Sequence, residues 1–349
     1  MKLIDLTNVN PVKISEWNDL IARSERASIF HSQEWAEVLS RSFNYKPCYL
    51  ISKVQTDPFA LIPLMEVQSL LKGKIGVSLP FSDFVDPILP DSVVDPAPFF
   101  KSAIQHAKRH SWKYIDFHGG ENLFPTATPA REFYGHRLAL SEDLDGIFNA
   151  FSRSTRRNVR KAVKCGVHVY TENSLKSLDK FYTLHCETRK RLELPPQPYH
   201  FFRNIYKYII FNKMGNALFA SYDGKTIACG IFFHFRSRAF WEFGISDMKY
   251  QRVKANNLLL WEAIKRYAEQ GYKEIYFGRT DLLNEGLRCF KLRWGVIEYP
   301  IKYFRYDMIN ERMVMMDTSR FYQMIKLCFG NMPISASKII SRLLYRCFG

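Results

Sequence analysis

The chain has 349 residues, 47% of them hydrophobic and 15% aromatic, and a formal charge of +16 from 50 Lys and Arg against 34 Asp and Glu. That length favours two domains of about 150 residues each over one ordinary core, and the apolar content excludes a disordered chain. The charge points to polyanionic company: phosphate-bearing substrates, RNA or an anionic membrane surface.

The seven cysteines show no C-x-x-C pair and no metal spacing with His, as expected of reduced thiols in a cytoplasmic protein. The N-terminal residues MKLIDLTNVNPVKISEW lack the apolar core of a signal peptide, and no run reaches the roughly 18 apolar residues of a membrane span.

In chain order, a helix is predicted around Trp17, Leu20 and Ile21, and a second runs from FHSQEW (30–35) to about Ser42. Strands are expected at 48–54 and 59–67. The Pro-rich run at 79–98 can form neither helix nor inner strand, because each proline removes a donor and fixes φ. A helix–turn–strand follows at 103–117, AIQHAKRHSWKYIDF, and comes back 160 residues later as AIKRYAEQGYKEIYF at 263–277. Setting Ala103 on Ala263 aligns Ile104 with Ile264, Ser111 with Gly271, Ile115 with Ile275 and Phe117 with Phe277. Such self-similarity predicts two related halves.

The second half opens near Leu144 with a helix that Gly166 stops, and another helix is expected at 179–192. Strands at 217–223, 227–235 and 239–246 lead through the loop 247–257 into a helix at 258–269. Strands at 272–278 and 298–306 follow. Antiparallel strands feeding one helix and a further strand make an α+β pattern. The expected divisions are an N-terminal domain at 1–143, a C-terminal domain at 144–310 and a tail at 311–349. After Asp317 the tail has no acidic residue, while Arg320, Lys326, Lys338, Arg342 and Arg346 alternate with Ile339, Ile340, Leu343, Leu344 and Phe348. This suits either a helix in an anionic interface or one packed on its own protein.

Two segments could carry chemistry. Arg153, Arg156, Arg157, Arg160, Lys161 and Lys164 place six cations in twelve residues, with no acidic residue between Asp145 and Glu172. Guanidinium forks suit phosphate oxygens, and a solvated face is the competing reading. The second segment, FGRTDLLNEGLRCFKLRWG (277–295), holds Lys291 between aromatics, where an ammonium can stabilise developing negative charge or simply snorkel over the core. P-loop, dinucleotide, nucleophile-elbow and zincin motifs are all missing from the sequence.

The order FHSQEW, SLPFSDFVDP, STRRNVRKAVKCGV, KANNLLLWEAI with YFGR, and LRCFKLRWG resembles the FemAB-like branch of the GNAT acyltransferase superfamily over residues 15–306. The resemblance implies two tandem GNAT-like domains and an N-acyltransferase that moves an aminoacyl or acyl group from an activated ester or thioester to an amine of a cell-envelope or polysaccharide precursor. It implies a transfer site at Phe290 and Lys291 with Arg279 at the preceding strand end. Arg156 and Arg160, with their neighbours Arg153 and Arg157, would lie near a phosphate-bearing precursor, nucleotide- or lipid-linked. Asp83, His31, Trp35 and Asn256 are further candidates for the substrate cleft. No cofactor is expected to be bound; the donor co-substrate is aminoacyl-tRNA or acyl-CoA. QRVKAN at 251–256 lacks the glycines of an R/Q-x-x-G-x-G/A pyrophosphate loop, which counts against acyl-CoA. The competing readings are an acyl-CoA-dependent acetyltransferase and a degenerate transferase fold serving as a scaffold. The expected location is cytoplasmic, peripheral on the inner face of the plasma membrane if the tail binds lipid.

Overall fold

A computed structural model describes residues 6–52, 59–69, 73–316 and 319–346; for residues 319–322 and Ser69 it describes the backbone only. Positions 53–54 of the predicted strand and Phe348 of the tail lie outside the described residues. The chain divides into two compact units, Met1–Glu132 with Ile301–Thr318 and Arg342–Gly349, and Phe133–Pro300 with Ser319–Ser341.

The first unit begins with strand β1 (Thr7–Val9) and helices α1 (Trp17–Ala22) and α2 (Gln33–Phe43). The Ser32 hydroxyl caps α2 by accepting from the Trp35 amide, and Asn44 ends it in the left-handed region at φ 62°. Strands β2 (Lys46–Ile51), β3 (Leu61–Ser69) and β4 (Gly73–Val77) run antiparallel, and β1 pairs with the outer side of β2. Helix α3 (Ala97–Arg109) then crosses back so that β5 (Tyr114–His118) lies parallel to β4. Leu50, Ile62, Leu64, Ala103, Ala107, Ile115 and Phe117 fill the core between this sheet and α3.

The second unit opens with β6 (Arg131–Ala139), α4 (Leu144–Ala150), α5 (Arg153–Lys164), β7 (His168–Thr171), α6 (Leu175–Arg191) and α7 (Tyr199–Ile205). The antiparallel strands β8 (Gly215–Tyr222), β9 (Lys225–Phe235) and β10 (Arg238–Ser246) follow, with Asp223-Gly224 in the first turn. Helix α8 (Ala255–Glu269) crosses back to β11 (Glu274–Tyr276), again parallel to its partner, β10. The two-residue strand β12 (Thr280–Asp281) and helix α9 (Glu285–Leu292) complete the site region. The sheet order in this unit is β6-β11-β10-β9-β8-β7.

The unit boundaries differ from those expected at 143/144 and 310/311, and strand pairing explains why. β6 hydrogen-bonds to β11 and β12 and so leaves the first unit. Strand β13 (Ile297–Asp307) returns: Tyr303–Asp307 pairs antiparallel with His118–Tyr114, and β14 (Arg312–Met313) pairs with its end. Arg305 secures the return with a bidentate pair to buried Asp116, Nε–Oδ1 and Nη2–Oδ2 both at 2.6 Å, its guanidinium lying 4.2 Å from the Tyr114 ring centroid. The tail forms α10 (Ser319–Gly330) and α11 (Ile334–Leu344).

The internal repeat is a shared backbone motif. In the first copy Ser111 has φ 58°, and in the second Gly271 has φ 80°. The amides of Ser111 and Trp112 bond back to Lys108 and Ala107, and those of Gly271 and Tyr272 to Ala268 and Tyr267. Both helices therefore end in the same left-handed cap, and Ala103, Ala263, Ile115 and Ile275 are all fully buried.

Gly76 stands where β4 passes closest to the repeat's aromatic residue. A Cβ there would run into the ring of Trp112, which is 3% exposed and fixed by its indole N–H on Glu66 Oε2 at 2.8 Å. Gly76→Ala is therefore expected to cost about 1–3 kcal/mol by overpacking, read as a lower denaturant midpoint with unchanged slope.

Candidate functional site

The second unit's sheet opens at one place. β10 and β11 pair only over Arg238–Phe240 and Glu274–Tyr276. From Phe277 on the chain stays with its other neighbour, β6, where the Phe277 amide bonds to the His136 carbonyl and Thr280 sits opposite Tyr134. β10 continues to Ser246, and among the described residues no second strand pairs with Phe243–Ser246 on that side.

The chain leaves β10 through a short 3-10 turn (Met248–Val253) and enters α8 at Lys254. No side chain caps this helix, so its first amides point outward with the positive end of the helix dipole. Lys254 has φ 61°, the left-handed conformation that favours glycine. It occupies the position of the first glycine in the pyrophosphate-loop pattern, so the loop takes the glycine-type backbone with a lysine in place. The helix itself starts three residues before the expected 258. Asn256, a predicted binding residue, donates to Ser246 Oγ at 2.9 Å and ties the helix start to the end of β10.

The basic run forms α5, with Ser152 as its N-cap; the predicted single helix is broken at Phe151-Ser152, and Gly166 follows its end at φ 79° as expected. Thr155, Val159 and Ala162 are buried, which turns the cations outward. Arg153, Arg157, Lys161 and Lys164 are exposed and have no carboxylate partner among the described residues. Arg156 donates to Asn149 Oδ1 at 3.3 Å, and Arg160 lies 5.5 Å from the Phe148 ring centroid.

A cavity of about 300 Å³ lies where these pieces meet. Its wall includes Thr155 and Asn158 of α5, Gln251 and Lys254–Asn257 at the head of α8, and Phe290 with Arg293. Phe290 packs toward Trp241 and Trp294, at 6.3 and 6.2 Å between ring centroids.

Lys291, the residue beside it, points elsewhere. It is 3% exposed, and its Nζ donates to the carbonyls of Gly278 (2.9 Å) and Arg279 (3.1 Å), at the bend where the chain leaves β11. The Arg279 guanidinium lies 4.7 Å from the Phe133 ring centroid. The predicted pair is thus divided: Phe290 lines the cavity, and Lys291 holds the strand end behind it.

Sequence reading missed His136, which sits 0% exposed on β6. Burial, then the nearby Lys291 charge, pushes this imidazole down to about 4, against the pull of Glu298. It is therefore neutral, with Nε2–H on Glu298 Oε2 at 3.0 Å, while Nδ1 is a buried acceptor with no partner among the described residues. Arg288 grips the same carboxylate at 2.9 and 2.8 Å and holds it below the usual range. A single His in a mixed strand gives no periodic signal, so nothing in the sequence marked it.

The corresponding opening in the first unit is sewn shut by the Pro-rich run. The Ser78 amide bonds to Asp116 O, the His118 amide to Ser78 Oγ, and the Val85 amide to His118 O, all at 2.7 Å. Asp83 gives its carbonyl to the Tyr303 hydroxyl. His31 is 1% exposed; its Nδ1 accepts from the Ser28 amide, so Nε2–H donates to Asp86 O at 2.9 Å. Trp35 is 0% exposed in the core. His31 and Trp35 are interior packing and capping residues, and Asp83 belongs to a structural loop; none of the three borders the cavity.

Residues 149–290 match the acetyltransferase (GNAT) domain family. No curated protein matches the chain in sequence. Solved structures share its fold at low identity. FemX aligns at 14% identity and TM-score 0.66, over 88% of this chain and 97% of that one. The C-terminal domain of a protein from Agrobacterium fabrum named as a lysylphosphatidylglycerol synthetase aligns at 12% and 0.54, over 89% and 94%. A tandem GNAT protein from the clavulanic acid biosynthesis pathway aligns at 9% and 0.51, over 87% and 98%. The stretch 149–290 is thus similar to a GNAT domain, and the chain shares the fold of FemX and of a tandem GNAT protein.

Two outcomes follow from the buried groups. Lys291→Met leaves the Gly278 and Arg279 carbonyls without their donor and is expected to lower stability by about 1–3 kcal/mol, measured by chemical denaturation. His136 and His106, each pushed down to about 4 chiefly by burial, stay neutral in the fold while the unfolded chain takes up protons below about 6.5. Stability should therefore fall as pH drops from about 6.5 to about 4; stability that stays flat or increases as pH drops through that window contradicts the assignment.

Proposed function

We propose that the second unit is an N-acyltransferase site, which takes an aminoacyl or acyl group from an activated ester or thioester and delivers it to an amine of a cell-envelope or polysaccharide precursor. The observation that supports this most is the cavity lined by the uncapped start of α8, by Ser246 at the end of β10, and by Thr155 and Asn158 of α5, whose opposite face carries the exposed cations. A phosphate-bearing substrate would meet the α8 amides, Lys254 and Arg293 in the cavity, with the exposed Arg153, Arg157, Lys161 and Lys164 attracting it. The acyl chain would lie along the open edge of β10, whose backbone amides could take up the oxyanion.

In the reaction the amine nitrogen bonds to the carbonyl carbon, the bond from that carbon to the donor oxygen or sulfur breaks, and the amine proton passes to the leaving group. Positioning alone can supply roughly 7–11 kcal/mol in well-oriented systems. Lys291 acts here as a positioning residue, since it holds Gly278 and Arg279 while α9 presents Phe290 to the cavity. Arg279, beside Phe133, would frame the same bend.

The donor is a co-substrate that carries phosphate, either aminoacyl-tRNA or acyl-CoA. An aminoacylated lipid in the name of one structural neighbour supports the first, and the glycine-type backbone at Lys254 supports the second.

A thermal-protection screen tests the reading. An acyl-CoA or a non-hydrolysable aminoacyl-tRNA end should raise the melting temperature of the protein, and Phe290→Ala should weaken that protection at least tenfold in concentration. Arg157→Ala should reduce the salt dependence of binding. No protection by either donor class, or equal protection of Phe290→Ala, would sink the proposal.

A further inference from the structure

Helix α11 is amphipathic in the reverse sense, and α10 is apolar on two faces. A helix packed on its own protein normally buries Ile and Leu and shows Ser to water. In α11 the buried residues are Ser337 (5%) and Ser341 (0%), while Ile339, Ile340 and Leu343 are 68%, 41% and 66% exposed. α10 buries Ile325 and Phe329, yet leaves Leu327 81% and Met324 50% exposed. On each helix the outward apolar residues lie on the side opposite the buried ones, at spacings of three and four.

The packing that fixes this orientation is specific. The Lys190 ammonium holds the carbonyls of Gly330 and Met332 at 2.6 and 2.8 Å, between α10 and α11, and Lys338 Nζ lies 5.1 Å from the Tyr182 ring centroid. Exposed apolar side chains are therefore presented by anchored helices. Lys326, Arg342 and Arg346 are exposed on the same two-helix segment and its end, and no acidic residue follows Asp317.

We propose that the outward face of α10 and α11 is a docking surface for an anionic lipid bilayer. Apolar residues flanked by basic ones match the acyl–headgroup boundary of such a membrane, where both terms favour binding. A second copy of the chain would bring the same cations against themselves, so charge complementarity selects the bilayer. The side chains are too few and the helices too short to span, which makes this a surface attachment; among the described residues no helix is long and apolar enough to cross a membrane. The proposal does not rest on the acyl-transfer reading and extends beyond it.

The test is sedimentation of the full chain with vesicles of phosphatidylcholine alone or with phosphatidylglycerol added. Binding should be at least tenfold stronger to the anionic vesicles, fall with added salt, and drop at least tenfold in a Leu327→Asp, Leu343→Asp double variant of unchanged melting temperature. Leu327→Trp should show a blue-shifted emission on anionic vesicles only. Equal binding to both vesicle types, or unaltered binding by the double variant, overturns the proposal. So does a concentration-dependent dimer that the double variant abolishes while vesicle binding is absent, since the face would then belong to a second copy.

Discussion

The site depends on a strand that parts from its neighbour and stays apart. A chain leaving β11 after Tyr276 could have continued along β10 and closed the sheet; instead it parts from β10 and stays with its other neighbour, β6, and the Lys291 ammonium clamps the carbonyls of Gly278 and Arg279 at the turning point. An ammonium is costly to bury unless it is hydrogen-bonded, so this clamp fixes one geometry. The same short helix sets Phe290 into the cavity wall, which couples the bend to the site. Behind it, a neutral His136, Glu298 and Arg288 form a second polar layer.

The two units show how one motif can be put to two uses. Each has a helix, a left-handed cap and a strand laid parallel to the one before. In the first unit Ser78 and Val85 fill the space beyond the paired strands with hydrogen bonds from the Pro-rich run. In the second no further strand pairs with Phe243–Ser246 on that side among the described residues. Prolines suit the first role because they cannot extend a sheet, so the loop ends the pairing and leaves no edge.

Much of this was legible in the sequence. The repeat at 103–117 and 263–277, the antiparallel strands of the second half and the basic helix all carry strong periodicity, and each is present, the basic helix separated from α4 by the break at Phe151-Ser152. Other elements were not legible. β6 mixes Arg131, Glu132, Gly135 and His136 with its apolar residues, so no alternation shows. α9 reads as a polar loop although Asn284 caps it through the Leu287 amide. That β13 returns to pair with β5 is a long-range choice that local pattern cannot express. At the site, Phe290 and Lys291 were found together, yet successive residues of a helix diverge by about 100°, and only the fold assigns them separate tasks. His31 and Trp35 drew notice for their chemistry, but burial and capping account for both.

The central claim is that the second unit alone binds the donor, at the head of α8. Amide hydrogen exchange with and without an acyl donor tests it most directly. The account predicts protection within Ser246–Asn257 and around Phe290–Arg293, with the segment 78–86 unchanged. Protection confined to 78–86, with none at the start of α8, would contradict it.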